Sequence, residues 1–385
     1  MPTEKIRVAV LYGGRSGEYE VSLVSAASVI RNLDKSRYEI IPIAIDKAGR
    51  WLLHDLAMID QTAKSLPVNQ DALSVVLPPF PAEQGTELVG LGSGGSGGSG
   101  KQLKNARIDV VFPVMHGPLC EDGTIQGLLE LADVAYVGCG VLASAVGMDK
   151  DVAKRLAQLA GITVVPWITL RRGSYESTAE AVHKEIAERL GFPCFVKPAN
   201  MGSSVGVVKV KTAAELSSAI EAALSYDTKV LVEKAINCRE IEVAVLEDIQ
   251  AGNPPMVSIA GEVIPAHEFY SYEAKYLDEN GAALKLPADL TSEQLQTVRK
   301  MAGDAFTALE GEGLARCDFL LDKDTGTMYF NEVNTMPGFT SISMYPKLMD
   351  ASGVPYPELL AHLIELAIRR HRRKTKLKRD YSAER

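Results

Sequence analysis

Two carboxylates, an amide and a guanidinium crowd into one short stretch, Leu314 to Pro337, LARCDFLLDKDTGTMYFNEVNTMP. Runs of β-branched, aromatic and aliphatic residues flank Asp322-Lys323-Asp324-Thr325-Gly326, whose Asp and Gly are turn formers, so the stretch predicts a β-hairpin. Arg316 and Asp318 share one face of its first strand, as Glu332 and Asn334 do on the second. Any register that pairs even positions with even ones turns all four to the same side. The opposite side then carries Cys317, Phe319, Leu321, Tyr329 and Val333, interrupted by Asn331. Hard oxygen ligands at that spacing suit Mg²⁺, which keeps some water and takes its remaining ligands from nucleotide phosphates. Arg316 beside the metal is placed to neutralise charge developing on an oxyanion. A solvated strand face with ordinary salt bridges uses the same residues, and the isolated pattern favours it. The other phosphate-handling segments of the chain tip the balance.

The elements that must position this hairpin begin at the N-terminus. Ile6 to Tyr12 is a continuous apolar run, typical of a buried parallel strand. It ends in Gly13-Gly14-Arg15-Ser16-Gly17-Glu18, and a helix follows through about Asn32. The loop does not fit G-x-G-x-x-G, but it sets Glu18 at the open carboxyl end of a sheet, where ligands bind in such folds. A strand over Glu39 to Ile45 and a Pro-rich irregular region around Leu77 to Pro81 come next. Gly92 to Gly100, GSGGSGGSG, behaves as a flexible coil, and its regularity looks like an engineered linker standing in for a surface loop. Ile108 to Met115 predicts another buried strand, running into His116-Gly117-Pro118-Leu119-Cys120-Glu121-Asp122-Gly123 and a helix over Ile125 to Ala132. His116 lies at a strand's carboxyl end beside a Glu-Asp helix start, with Asp122 available to cap. The other histidines, His54, His183, His267, His362 and His371, have no accompanying chemistry and read as surface or satisfied residues. Met148-Asp149-Lys150 begins a helix from which a lysine can reach a phosphate.

From Gly161 the pattern becomes an α+β alternation. Cys194 to Pro198 is a strand with an inward lysine, Lys197, and the Gly/Ser loop Ala199 to Val207 beyond it is rich in backbone and hydroxyl donors, fit to fold over a polyphosphate. It is not a Walker loop, which needs a lysine after the last Gly and a following helix. Val230 to Ile236 predicts an apolar edge strand, and acceptors beside it, Glu233 and Glu240, suit an adenine amino group and ribose hydroxyls.

A chain of 385 residues suggests two or three domains, and 46% hydrophobic with 23% charged residues is a globular composition. No apolar stretch is long enough to span a bilayer, and no signal or transit peptide is visible, so the expectation is a cytoplasmic protein without membrane contact. The 5 cysteines are scattered without a C-x-x-C pair and read as reduced thiols rather than disulfides or a zinc site. A net charge of -8 argues against a nucleic-acid partner. The basic run Arg369 to Arg379 reads as a frayed, solvated tail after the last helix.

Together the motifs GGRSGEYEVS, HGPLCEDG, MDK, FVKPANMGSSVGV, LVEKAI, FYSYEAKY, ARCDF and NEVNTMPGFTSIS resemble a D-alanine–D-alanine ligase of the ATP-grasp superfamily, from Val8 to about Arg370. The resemblance implies an α/β and α+β ATP-grasp fold with an N-terminal Rossmann-like parallel-sheet domain. Residues 1–149 would form the substrate-binding domain, with the linker at 92–100; residues 150–240 the central lid domain; and residues 241–385 the catalytic domain with its basic tail. It implies ATP phosphates on Lys150 and Lys197, with Ser203 and Ser204 in the closing loop. Glu233, Lys234, Ala235 and Ile236 would frame the adenine and Glu240 the ribose. Two Mg²⁺ ions, replaceable by Mn²⁺, would sit on Asp318, Glu332 and Asn334. Glu18 would receive the ammonium of the first D-alanine, with His116 near its carboxylate. Ser343 and Met344, with Lys275, would receive the carboxylate of the second, and Arg316 with the Gly338 N–H would form the oxyanion site. Tyr276, bonded to Ser203 and Glu18, accompanies the dipeptide enzymes, whereas phenylalanine there often accompanies ester-forming ones. Cys120 stands where the family usually has glycine, and Met201 where a polar residue is common. A homodimer is also implied. The alternatives are a D-alanine–D-lactate or other ATP-grasp carboxylate–amine ligase, or a catalytically impaired ATP-binding scaffold.

Overall fold

The structure, a computed structural model, describes residues 4–60, 62–81, 85–91, 101–265 and 282–378. The Gly/Ser repeat at 92–100 and the aromatic loop holding Lys275 and Tyr276 therefore lie outside the described residues, as does His267.

Three sheets organise the chain. The first has eight strands in the order β6-β5-β4-β3-β2-β1-β7-β8. These are β1 (Ile6–Gly13), β2 (Tyr38–Ile45), β3 (Trp51–Leu53), β4 (Leu73–Val76), β5 (Thr86–Gly90), β6 (Lys101–Ile108), β7 (Val110–Val114) and β8 (Ala135–Tyr136). The apolar runs predicted at the N-terminus and before His116 are the parallel neighbours β1 and β7, with all of β7 buried. The parallel half matches expectation, but β3 to β6 extend it as an antiparallel meander. The short connections between β2 and β3, β4 and β5, and β5 and β6 suit antiparallel neighbours. The predicted strand over 108–115 is also split. Ile108 closes β6, and Asp109 turns aside so that its Oδ2 accepts the Arg7 N–H at 2.8 Å.

Helix α1 (Tyr19–Asn32) follows β1, then α2 (Thr124–Leu131), α3 (Val141–Met148) and α4 (Lys150–Leu159) follow β7. Asp149 caps α4, accepting the Val152 N–H at 3.1 Å, which fixes Lys150 in its first turn. Asp122 does not cap α2 but accepts the N–H of Thr124 at 2.9 Å, one residue inside the Gly123 cap.

The second sheet has the order β11-β10-β12-β9, with β9 (Trp167–Arg171), β10 (Cys194–Pro198), β11 (Val208–Val210) and β12 (Lys229–Lys234). Helices α5 (Arg172–Arg189) and α6 (Leu216–Leu224) give it a core of its own. The strand that carries Glu233 is thus interior, not an edge. Its five buried residues are an apolar Val230-Leu231-Val232 centre between Lys229 and Glu233, and β9 and β10 pair with it along both edges.

The third sheet runs β15-β14-β13-β16-β17, with β13 (Cys238–Leu246), β14 (Met256–Pro265), β15 (Ala282–Lys285), β16 (Leu314–Asp322) and β17 (Met328–Asn334). Helix α7 (Ser292–Ala308) covers one face, and α8 (Met344–Ala351) and α9 (Tyr356–Lys374) join the third sheet to the first through one continuous core. The basic run is not a frayed tail over most of its length. Arg369 to Lys374 lie inside α9, and buried Arg370 donates to the carbonyls of Gly138 at 2.6 Å and Tyr136 at 2.7 Å with its guanidinium 4.4 Å over the Tyr136 ring. Cations in a last turn complement the carbonyl end of the helix dipole, and here the neighbouring sheet supplies further acceptors. No helix among the described residues is long and apolar enough to cross a membrane.

Candidate active site

Strands β16 and β17 form the predicted hairpin, closed by Asp322 to Gly326, where Asp322 accepts the Asp324 N–H at 2.8 Å and Gly326 takes φ +71°. Arg316 pairs with Asn334 and Asp318 with Glu332, so all four share a face as expected. A bulge then shifts the register, with Phe319 opposite Phe330. Met328 and Phe330 therefore enter the core with Cys317, Phe319, Leu321 and Val333, while Tyr329 does not belong to it, contrary to expectation. The extra residue is Asn331, which receives the Lys197 ammonium on Oδ1 at 3.4 Å. A bulge re-aims one side chain while keeping the ladder on either side.

On that face Arg316 sits between two carboxylates. It grips Asp318 with both arms, Nε to Oδ1 at 2.7 Å and Nη2 to Oδ2 at 2.6 Å, and its Nε lies 3.1 Å from Glu242 on β13. Burial opposes its charge, but Asp318 and Glu242 outweigh that and hold the guanidinium firmly protonated. The Lys150 ammonium lies 3.2 Å from Glu332 and donates to the Met201 carbonyl at 2.7 Å, while Asn334 Oδ1 accepts the Met336 N–H at 3.0 Å. No three His, Cys, Asp or Glu side chains among the described residues form a ready metal cage. The hairpin offers two carboxylates and an amide oxygen, a donor set that fits a hard cation keeping part of its water. In this arrangement Arg316 and Lys150 provide the positive charge that such a cation would bring.

A second charged group lies in the four-stranded sheet. Lys197 on β10 is 2.7 Å from Glu233 Oε2, and Lys154, one turn beyond Lys150 on α4 and wholly buried, is 3.2 Å from Glu233 Oε1. Burial alone would raise the Glu233 carboxyl; the two lysines reverse this and lower it. Burial draws Lys154 down to about 8 against the pull of Glu233. Glu233 thus turns inward to lysines, while Lys234 is exposed and the backbone N–H of Ala235 donates to the Pro193 carbonyl at 3.2 Å. Ile236 follows in the connection to β13, and Glu240 stands opposite Val263 and Leu320.

Glu18 is the N-cap residue of α1, but its side chain makes no cap bond and instead accepts the Ser203 hydroxyl on Oε1. Ser203 and Ser204 both adopt left-handed backbone, with φ +52° and +59°, folding the Gly/Ser loop over Glu18. The approach is tight. Gly117, at φ +76°, lies so close that an added Cβ would stand 2.7 Å from Glu18 Oε2.

His116 has both ring nitrogens engaged by protein. Nδ1 is 3.1 Å from the Met336 carbonyl and so donates; Nε2 is 3.1 Å from Ser25 Oγ and accepts from it, while Ser25 in turn accepts the Phe339 N–H at 3.3 Å. Burial holds the imidazole below its ordinary value despite the charge of Glu18. The histidine thereby ties the end of β7 to the turn containing Gly338. In that turn Ser343 Oγ accepts the Thr340 N–H at 3.0 Å, Met344 begins α8, and a Cβ on Gly338 would meet Ser343 Oγ at 2.8 Å.

Lys154, Glu242, Asn331 and Glu121 were not foreseen as site residues. Lys154 had a local signal, the i, i+4 spacing from Lys150 that places both on one helix face. Glu242 had one too, two residues from Glu240 on a strand. Glu121 is buried 3.9 Å from His116, accepting the Gly117 N–H at 3.1 Å, and burial and then Glu18 push its carboxyl up to about 8. The histidines expected to be satisfied are so where described. His54 bonds Tyr12, His183 bonds Tyr175, and His362 and His371 lie on the carbonyls of Glu247 and Asp133.

Family profiles described as D-ala D-ala ligase N-terminus and D-ala D-ala ligase C-terminus match residues 7–139 and 156–365. The chain is 56% identical over 383 residues to D-alanine–D-alanine ligase A of Bradyrhizobium diazoefficiens, covering 99% of this chain and 100% of that one. It is 47% identical to the D-alanine–D-alanine ligase of Heliobacterium modesticaldum, with 96% of each covered. Among solved structures it resembles the D-alanine–D-alanine ligase of Coxiella burnetii, with TM-score 0.80, 35% identity and 97% of each chain covered. It also resembles the VanG D-Ala:D-Ser ligase of Enterococcus faecalis, with TM-score 0.79, 35% identity, 94% of this chain and 100% of that one.

Proposed function

The chain belongs to the D-alanine–D-alanine ligase family, and from that premise we infer that it joins two D-alanine molecules with conversion of ATP to ADP and phosphate, supplying the dipeptide for peptidoglycan. Ligases of this family depend on ATP and a divalent metal. The observation that carries the reading at residue level is the meeting of Lys150 and Lys197, from two other elements, with the carboxylate and amide face of the hairpin.

In this reading the carboxylate of the first D-alanine attacks the γ-phosphorus of ATP, ADP departs, and an acyl phosphate forms. The amine of the second D-alanine then attacks the acyl carbon, and the tetrahedral intermediate expels inorganic phosphate as the amine loses its proton. Two divalent ions, Mg²⁺ or Mn²⁺, held by Asp318, Glu332 and Asn334, would supply charge neutralisation on the phosphates. Lys150 and Lys197 bind phosphate oxygens, with Ser203 and Ser204 in the loop above. Glu233, Lys234, Ala235 and Ile236 frame the adenine, Glu240 takes the ribose, and Glu18 holds the first ammonium. Arg316 and the Gly338 N–H receive the oxyanion, and His116 keeps the Gly338 turn in place. Ser343 and Met344 open a helix whose N–H groups suit the second carboxylate. Lys275 and Tyr276 are assigned the acceptor carboxylate and the bond to Ser203 and Glu18. Catalysis is then positioning and charge neutralisation without a covalent nucleophile.

Residues 1–149 are assigned substrate binding, 150–240 the lid, and 241–385 catalysis, with ATP between the last two and the amino acids where all three meet. The enzyme would act as a homodimer in the cytoplasm. The test is ADP release with Mg²⁺-ATP and D-alanine, offered alone and in competition with D-serine or D-lactate, with the product weighed by mass spectrometry. D-alanyl-D-alanine as the main product is expected; ADP release that ignores D-alanine would reject the reading.

A further inference from the structure

We propose that Lys154 is a standby counterion for Glu233, whose presence frees Lys197 to leave that carboxylate for the phosphates of ATP; the proposal rests on the phosphate-binding reading of Lys197. Glu233 is only 4% exposed, and its two oxygens each face one ammonium, Lys154 at 3.2 Å and Lys197 at 2.7 Å. A carboxylate so deeply buried holds a sole counterion tightly, because removing one partner of a buried pair leaves an uncompensated charge. Were Lys197 that sole counterion, binding phosphate would mean stripping Glu233 bare.

The positions of the two lysines decide which one stays. Lys154 is walled in on α4 with no exposed surface, behind Glu233. Lys197, on the other oxygen of the same carboxylate, keeps 8% exposure and already reaches the hairpin through Asn331 at 3.4 Å. The trio of two ammoniums and one carboxylate carries a surplus positive charge, and the surplus is presented on the side of Lys197. An anion arriving there finds a lysine whose departure leaves Glu233 still paired. Lys154 touches no reacting atom in this scheme; it acts through Glu233 as a positioning residue. A merely structural Lys154, bracing α4 against β12, would leave nucleotide affinity alone.

The test is calorimetric binding of Mg²⁺-ATP, without D-alanine, to the parent, Lys197→Met, Lys154→Met, Glu233→Gln and the Lys154→Met/Glu233→Gln double variant, with the KM for D-alanine measured alongside. Lys154→Met should weaken ATP binding by at least about tenfold, which is about 1.4 kcal/mol, while the KM for D-alanine stays within about twofold. In the Glu233→Gln background the same change should alter ATP affinity by less than about twofold, since no buried carboxylate is left to compensate. Parental ATP affinity in Lys154→Met, or an equal loss in both backgrounds, would overturn the proposal. If Lys154→Met fails to fold, Lys154→Gln takes its place against the parent: a loss of at least about tenfold in ATP affinity supports the proposal, and parental affinity rejects it. Unchanged binding by Lys197→Met would instead refute the phosphate role of Lys197, whatever Lys154 does.

Discussion

The molecule holds two charged trios, and they are opposite in sense. On the hairpin one cation, Arg316, lies between two carboxylates, Asp318 and Glu242. In the four-stranded sheet one carboxylate, Glu233, lies between two cations, Lys154 and Lys197. The first suits the arrival of a cation, because Asp318 can turn to it while Glu242 keeps Arg316 paired. The second suits an anion. Both obey one constraint: a group buried in low dielectric needs a partner, so a group that must change partners during binding needs a third nearby. They differ in depth. The Arg316, Asp318 and Glu242 side chains are 19%, 13% and 13% exposed, whereas Lys154 has no exposure at all, so charge changes should be felt more strongly in the lysine trio.

Breaking the hairpin trio at its centre should give the largest effect. Arg316→Met is expected to lower kcat by roughly 10²–10³, the usual loss for an oxyanion donor, with ATP affinity held within about threefold. Steady-state ADP release measures it, and a fall below about tenfold would remove Arg316 from that role. A control outside both trios comes next. Arg370→Ala strips donors from two buried carbonyls and should lower stability by about 3 kcal/mol in urea unfolding, leaving the KM for ATP unchanged.

Smaller effects sharpen the contrast. Glu242→Gln should leave Arg316 more firmly on Asp318 and weaken Mn²⁺ binding roughly fivefold, under about 1 kcal/mol, read by electron paramagnetic resonance without substrates. Unchanged Mn²⁺ affinity would show that Asp318 is free without Glu242. The last is a pH slope. Glu121 is raised from an ordinary 4.5 to about 8 by burial and by Glu18, so the folded protein keeps a proton that the unfolded chain loses. Its contribution to stability is therefore complete below about 4.5 and is lost as pH climbs toward 8. Glu121→Gln should flatten that slope in unfolding curves taken across the window; an unaltered slope would mean that Glu121 is charged when buried.

The period-two alternation of the hairpin was enough to place Arg316, Asp318, Glu332 and Asn334 on one face, since register and burial there are local. The bulge was not legible, because one inserted residue is decided by how Phe330 packs on Phe319, and it exchanged Tyr329 for Met328 and Phe330 in the core. The apolar run of β12 reads as an edge strand from sequence, although a strand paired on both sides has the same composition. Arg370 read as tail because its partners, Tyr136 and Gly138, are more than two hundred residues away in the chain. Lys154 and Glu121 lie nearer their partners in the chain and escape for a different reason. Burial gives them their significance, and burial is a property of the assembled sheets.

The most direct test follows oxygen. With D-alanine labelled by ¹⁸O at both carboxylate positions, attack on the γ-phosphorus sends one labelled oxygen into inorganic phosphate at every turnover and leaves three in the dipeptide. Phosphate carrying one ¹⁸O per dipeptide is the predicted result. Unlabelled phosphate formed alongside dipeptide would contradict the acyl phosphate and the assignment of Arg316, Lys150 and Lys197 built around it.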